Sequence, residues 1–263
     1  MYRSQLIGAI LAVGNYTRFV LDVFLACTKQ FPSWRLLREQ LYEIGVASLA
    51  VVAITGLSTG MVLAAQTYFQ LSDKGLASMT GLMVAKAMTV ELGPVLTAFM
   101  VTGRVGAAMC AELGTMRVTE QIDAMRSMSV NPLSYLIAPR FLGSFFMMPL
   151  LTIFSVFMGI FGGYIITVYH YGQSAQVFLD SIPLHITNLD LFSCFFKAFI
   201  FGIIIVTISC YKGMMTTGGA AGVGRFTTNS VVICYSIILI TNFFITLTLN
   251  GFYGYINALM RIF

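Results

Sequence analysis

Long runs without a single charged side chain constrain the fold of this chain more than any other feature. Residues 44–72, 141–179 and 226–260 contain no Asp, Glu, Lys or Arg. A helix that crosses a bilayer needs about 20 mainly apolar residues, so each run is long enough to span. Charged residues make up only 10% of the chain, against about 25% in soluble domains. Too little polar surface remains for a water-soluble globule.

Two further apolar stretches carry isolated charges. Residues 75–103 include Lys86 and Glu91, and residues 191–211 include Lys197. The sequence therefore predicts an all-α integral membrane protein with five spans. The predicted spans lie near residues 44–71, 78–104, 140–170, 191–212 and 228–256.

The distribution of Lys and Arg predicts the orientation of these spans. Eleven basic residues fall on the side of the N-terminus, whereas only Lys74 and Arg261 fall on the other side. Because cytoplasmic loops carry the excess of Lys and Arg, we expect a cytoplasmic N-terminus and an outer C-terminus. The basic residues are too sparse to indicate nucleic-acid binding. The eleven are Arg3, Arg18, Lys29, Arg35, Arg38, Arg104, Arg117, Arg126, Arg140, Lys212 and Arg225.

Segment 1–40 is not predicted to span, because charged residues from Arg18 onward interrupt it. Its apolar residues recur near helical spacing until Pro32, which favours an amphipathic helix lying in the cytoplasmic interface. The alternative is a helix packed on the protein's own cytoplasmic face. We expect a cytoplasmic interfacial region over 1–40 and a single transmembrane domain over 41–263.

Glu91 and Pro94 stand out in the second predicted span. A carboxylate at membrane depth is costly and usually faces a cavity or a partner, and Pro94 indicates a kink. Glu91 is therefore either a polar contact or gate for a lipid headgroup, or half of a structural ion pair with Lys197 or Lys86. Small residues follow at spacings of four, which indicates close helix packing. They form two faces, Gly103, Ala107 and Ala111, and Gly106, Cys110 and Gly114.

Residues 119–128 predict a short cytoplasmic helix that Asn131 and Pro132 end. Glu120 and Asp123 suit its first turns, where the helix dipole favours anions. A helix of two turns does not stand alone in water, so it docks either on the protein's own surface or in a groove of a partner.

Several other patterns carry little chemistry. Gly219 and Gly224 have the spacing of a phosphate-binding loop, but Arg225 and Phe226 replace its Lys-Ser/Thr, so we expect a flexible cytoplasmic hairpin instead. Gln66 and Tyr68 either line a cavity or lie at the outer interface. Solvated loop residues are favoured over a metal site at His170, His185, Asp180 and Asp190. The five cysteines indicate core residues and no disulfide framework, and no nucleophile motif indicates an enzyme.

Four stretches resemble the MlaE permease family: 91–94, 103–106, 111–124 and 217–224. The resemblance covers essentially the whole chain and implies a homodimer in the bacterial inner membrane. It also implies two copies of a separate cytoplasmic ABC ATPase that binds ATP and Mg, a hexameric MCE-domain protein outside and, often, a STAS-domain protein. Such assemblies move phospholipids between inner and outer membranes, and the permease chain itself has no cofactor and no catalytic site.

The resemblance also implies roles for individual residues. Glu91 matches a glutamate that lines the family's lipid cavity, and Lys197 is a candidate for its lysine on the fourth span. Val90 stands where many relatives carry a basic residue, which Lys86 could replace; Gln66 is a further cavity candidate. Residues 112–126 resemble the coupling helix that docks in the ATPase. Its candidate contacts are Glu112, Thr115, Arg117, Glu120, Asp123 and Arg126.

A second hypothesis keeps Glu91 but changes the energy source. An ion- or proton-coupled carrier could use this carboxylate as a relay. Such carriers often contain inverted repeats, and none is evident here. Dependence on ATP hydrolysis rather than on an ion gradient separates the two.

Overall fold

The computed structural model describes residues 2–29, 32–180, 182–183 and 186–260. Within these ranges the chain is helical and contains no β-strand, which confirms the predicted all-α class. Arg261, which entered the charge count, and His185, of the loop predicted to lie outside, fall outside the described residues.

Within the described residues, five segments are long and apolar enough to cross a membrane, which confirms the predicted number of spans. They are Trp34–Ser72, Ala77–Val118, Leu133–His170, Asn188–Met214 and Gly219–Gly251. Two α-helices precede the first long apolar helix, α1 (Tyr2–Lys29) and α2 (Trp34–Ile44), and α2 leads through a tight turn into α3 (Leu49–Ser72). The remaining helices are α4 (Thr80–Ala87), α5 (Gly93–Val101), α6 (Ala107–Val118), α7 (Gln121–Ser127), α8 (Ala138–Ile165), α9 (Ala175–Asp180), α10 (Asn188–Met214) and α11 (Gly219–Met260).

The second span is longer than predicted and continues to Val118 instead of ending near residue 104. Arg104 is accommodated within this span. Its Nη1 donates a hydrogen bond to the backbone oxygen of Glu43 at 3.0 Å, which gives the charged group a partner. Wider π-helical turns, Met88–Leu92 and Thr102–Gly106, join α4, α5 and α6. Turns of this kind are frequent at functional sites.

The predicted hairpin over 218–226 is wrong, because α11 already begins at Gly219. Gly218 and Gly219 have φ of 90° and 66°, a left-handed conformation that glycine adopts without steric cost. They complete the reversal after α10, and the alanines that follow are strong helix formers. α11 also continues through Asn250 and Gly251 as one helix.

The chain forms two compact units. Unit 1 takes residues from 1–44, 102–146 and 203–234, and unit 2 from 45–101, 147–202 and 235–263. In unit 1, α1 buries its own residues Val23 and Ala26 against the rest of the unit. Its Tyr16 hydroxyl lies 2.7 Å from Thr207 Oγ1. Another face of α1 exposes Leu21 and Leu25, as an interfacial helix does.

Close helix packing in unit 1 confirms one of the two predicted small-residue faces. A Cβ on Gly106 would lie 3.0 Å from Ser209 Oγ, and a Cβ on Gly114 would lie 2.9 Å from Thr216 Oγ1. The Gly106, Cys110 and Gly114 face of the second span therefore packs on α10 and the residues directly after it. The other predicted face is more open, since Gly103 is exposed.

In unit 2, α3 and α8 approach each other at glycine. A Cβ on Gly60 would overlap the backbone oxygen of Gly159, and one on Gly56 would lie 2.7 Å from the Ser155 oxygen. Ala64, Val84 and Met88 are fully buried beside this crossing. The packing fixes α4 and the π-helical turn that carries Glu91.

Candidate functional site

An ion pair at membrane depth joins two spans in unit 2. Lys197 on α10 places its Nζ 2.7 Å from Oε1 of Glu91, which lies in the π-helical turn of the second span. The Lys197 side chain is fully buried, whereas the Glu91 side chain remains 35% exposed. The pair therefore presents its acid, and not its base, to the outside of this chain.

Pro94 explains part of this geometry. Proline has no N–H, so the carbonyl of Val90, four residues earlier, loses the donor that a regular helix would supply. Lys197 Nζ donates to that carbonyl oxygen at 2.9 Å. The break that Pro94 imposes on the backbone thus creates an acceptor that holds the lysine beside Glu91.

α11 completes the cluster with two polar side chains one helical turn apart. Asn242 Nδ2 donates to Glu91 Oε2 at 3.0 Å, and the Thr246 hydroxyl donates to Glu91 Oε1 at 2.8 Å. Thr246 Oγ1 also accepts from Lys197 Nζ at 2.9 Å. Three spans therefore converge on one carboxylate, and a movement of any of them changes the surroundings of that carboxylate.

A second cluster lies in unit 1, where α6 turns into α7. Arg117 Nη1 donates to both carboxylate oxygens of Asp123, at 2.6 and 2.7 Å, and Arg126 lies 3.5 Å from the same carboxylate. Glu120 precedes α7 with a left-handed φ of 59°. Ile122 is fully buried, so α7 is attached to its own chain through this residue and through Arg117.

The ends of this region are also fixed. Glu112 Oε2 lies 2.7 Å from Nη2 of Arg140, whose side chain is only 8% exposed. After α7, Asn131 Oδ1 accepts from the backbone N–H of Leu133 at 3.0 Å. The outer surface of the turn remains free in this chain, since Glu120 and Met128 are exposed. A turn that is anchored to its own chain on one side and exposed on the other is suited to binding a partner.

Comparison with known proteins decides the family. The model of the family described as Permease MlaE matches residues 37–248. This chain belongs to the MlaE permease family. It is 41% identical over 246 residues to a probable ABC transporter permease protein of Synechocystis, covering 94% of this chain and 91% of the relative.

Two further relatives extend the comparison. A probable ABC transporter permease protein of Rickettsia bellii is 40% identical over 235 residues, covering 89% of this chain and 91% of that one. The chloroplastic protein TRIGALACTOSYLDIACYLGLYCEROL 1 of Arabidopsis thaliana is 38% identical over 222 residues, with 84% and 63% covered. The chain is thus an ABC transporter permease and works with an ATPase subunit. The hypothesis of an ion-coupled carrier is not favoured.

The structure of this MlaE-family permease unites some of the residues predicted from sequence and separates others. Glu91 and Lys197 form one cluster, whereas Lys86 is exposed and, among the described residues, makes no ion pair. Gln66 is also exposed and lines a shallow depression with Phe69, Gln70 and Tyr171. Of the four predicted cavity residues, two therefore share a site here.

Sequence reasoning missed Asn242 and Thr246. Both lie in the apolar run 226–260, and Asn250 follows at the same spacing of four. Polar residues repeated at this interval share one helix face, and this stripe is the signal that could have identified α11 as the third span at the site. Among the described residues, no group of His, Cys, Asp and Glu could hold a metal ion.

Proposed function

We propose that this permease moves phospholipids between the inner and outer membranes of a bacterium, while a separate subunit binds Mg and ATP and hydrolyses it. The observation that carries the proposal is the Glu91 cluster. A carboxylate that stays 35% exposed beside a fully buried lysine is available to a polar headgroup at a depth where the surrounding side chains suit acyl chains.

The functional assembly in this proposal contains two copies of the chain. α11 exposes apolar residues over much of its length, among them Val232, Leu239, Phe243 and Leu247. In a homodimer, part of this surface faces the second copy and part faces the lipid between them. The open side of Glu91 then points into a chamber shared by the two subunits.

The remaining partners act from the two sides of the inner membrane. The ATPase binds the exposed surface of the α6–α7 turn, so that nucleotide binding shifts the permease between two states by differential affinity. An MCE-domain protein outside receives or delivers the lipid, and a STAS-domain protein binds the ATPase. The N-terminus is cytoplasmic in this arrangement. The similarity to a chloroplastic relative named for a galactolipid supports a lipid as the substrate.

Reconstitution tests this proposal directly. The permease, purified in detergent with the subunits that accompany it, is placed in vesicles with labelled phospholipid, and lipid movement is followed with ATP, without ATP and with an ion gradient. We expect movement only with ATP. The charge reversal Glu91→Lys should reduce lipid movement by the complexes that assemble, because a cation would replace the carboxylate that meets the headgroup. Normal transport by the assembled Glu91→Lys complex would disprove the role of Glu91 in the lipid path.

A further inference from the structure

The buried lysine has no hydrogen-bonding capacity left for a substrate. An ammonium group has three N–H donors, and Lys197 Nζ has three acceptors: Glu91 Oε1, the Val90 oxygen and Thr246 Oγ1. Its side chain is 0% exposed. A phosphate group therefore finds neither a donor nor an open approach at this cation.

The carboxylate keeps unused capacity to accept. A carboxylate has about four lone-pair sites, and Glu91 accepts three hydrogen bonds, two at Oε1 and one at Oε2. Its Oε2 thus has a site to spare, and the side chain is 35% exposed. Asn242 Oδ1 also has no donor among the described groups, but that atom is buried, so Glu91 Oε2 is the acceptor that a headgroup can reach.

The amide of Asn242 cannot turn round to change this balance. Reversal would place Oδ1 against Glu91 Oε2, two acceptors without a hydrogen between them. The observed orientation therefore holds, so Glu91 Oε2 keeps a free acceptor site while the Lys197 ammonium keeps no free N–H. The accessible charge of the cluster is negative even though the ion pair is formally neutral.

We infer that the Glu91 cluster selects lipid headgroups with a protonated primary amine over headgroups with a quaternary amine or a net negative charge. A primary ammonium supplies an N–H to Oε2, and hydrogen bonds between charged groups are the strong ones. A trimethylammonium group carries the same charge but no N–H, and an anionic headgroup is repelled. This inference rests on the proposed lipid transport and concerns the same site.

A methylation series isolates the N–H from the charge. The complete transporter is reconstituted in vesicles with labelled phosphatidylethanolamine, its N-methyl and N,N-dimethyl derivatives, phosphatidylcholine or phosphatidylglycerol, all with identical acyl chains. ATP-dependent transport should change little while the amine keeps at least one N–H and should fall roughly tenfold at the trimethylated lipid, as expected for the loss of one charge-assisted hydrogen bond. Phosphatidylglycerol should also be slower than phosphatidylethanolamine.

A double variant assigns the preference to the cluster. Glu91→Gln with Lys197→Met removes both charges at similar volume and leaves no unpaired ammonium, so the amine preference should disappear. The control Asp73→Asn removes an exposed carboxylate just after α3 and should retain it. If the double variant does not assemble, the methylation series on the natural chain decides alone.

The outcomes distinguish failure of the headgroup inference from failure of the proposed function. Equal ATP-dependent transport of the ethanolamine and choline lipids overturns the headgroup inference and leaves the proposed function intact, as does fastest transport of phosphatidylglycerol. Retention of the preference by an assembled double variant also overturns the inference. Absence of ATP-dependent movement for all five lipids overturns the proposed function and the inference with it.

Discussion

Lys197 and Glu91 form an ion pair of 2.7 Å in which only the lysine is sealed from solvent. The partner that remains after a substitution is therefore in a different environment in the two cases. An ammonium left alone at 0% exposure has no counter-charge, whereas a carboxylate left alone at 35% exposure keeps two donors, Asn242 and Thr246. Stability should reveal this difference.

Glu91→Gln should destabilise the permease more than Lys197→Met. Breaking a buried pair so that one charge stays buried costs about 3–5 kcal/mol, and that figure applies to Glu91→Gln. The loss from Lys197→Met should be smaller, and the double variant should recover part of the stability. Melting in detergent with a thiol-reactive fluorophore provides the measurement, because Cys110, Cys194, Cys210 and Cys234 are buried and react on unfolding. Equal losses for the two single variants would count against the asymmetry.

The glycine contact between α3 and α8 gives a second prediction. Gly60→Ala should lower the melting temperature strongly, because the new Cβ would overlap the backbone oxygen of Gly159 and backbone cannot move aside as a side chain does. Overpacking of this kind costs about 1–3 kcal/mol or more. Gly224→Ala is the matched control, since nothing lies within 4 Å of its Cβ position in α11. It should be neutral or stabilise by up to about 1 kcal/mol. A Gly60→Ala protein that melts like the control would show that the helices separate freely.

Sequence patterns predicted the spans well because each depends on a local run. Absence of charge over 20 residues marks a membrane helix wherever the helix packs. Local patterns also located Glu91 and the α7 region, and the resemblance added the roles expected of them. The ends of the spans were harder to predict. The charge of Arg104 predicts an end to the second span, but Arg104 pairs with Glu43, a residue 61 positions away in the sequence.

The composition of the site depended on tertiary contacts as well. Lys86 lies closer to Glu91 in sequence than Lys197 does, yet Lys86 is exposed and Lys197 is buried. Asn242 and Thr246 contact Glu91 across more than 150 positions of chain. Their spacing of four predicts a shared face, but no local rule predicts which carboxylate that face meets. The prediction of a hairpin over 218–226 was wrong for a local reason. Glycines that favour a loop lie beside alanines that favour a helix, and the helix forms.

The α6–α7 turn gives a third prediction. Replacing Arg117, Glu120 and Asp123 together with alanine should reduce co-purification of the ATPase, because the bidentate contact from Arg117 to Asp123 fixes the turn that the partner binds. Arg35→Ala is the control, since Arg35 is an exposed basic residue of α2 whose pair with Glu39 is exposed too, and surface pairs contribute little. Full ATPase recovery with the triple variant would place the docking surface elsewhere.

Labelling of Cys27 tests the orientation and the placement of α1 together. Cys27 is partly buried in α1 while the other four cysteines are buried, so a membrane-impermeant maleimide should label Cys27 first in the folded protein. Burial raises the pKa of the Cys27 thiol, so less thiolate is present at neutral pH than for a free cysteine, and the rate should keep rising with pH above the ordinary thiol pKa. Inside-out vesicles should be labelled and intact cells should not, with Cys27→Ser as the control. Labelling of intact cells at Cys27 would reverse the proposed topology.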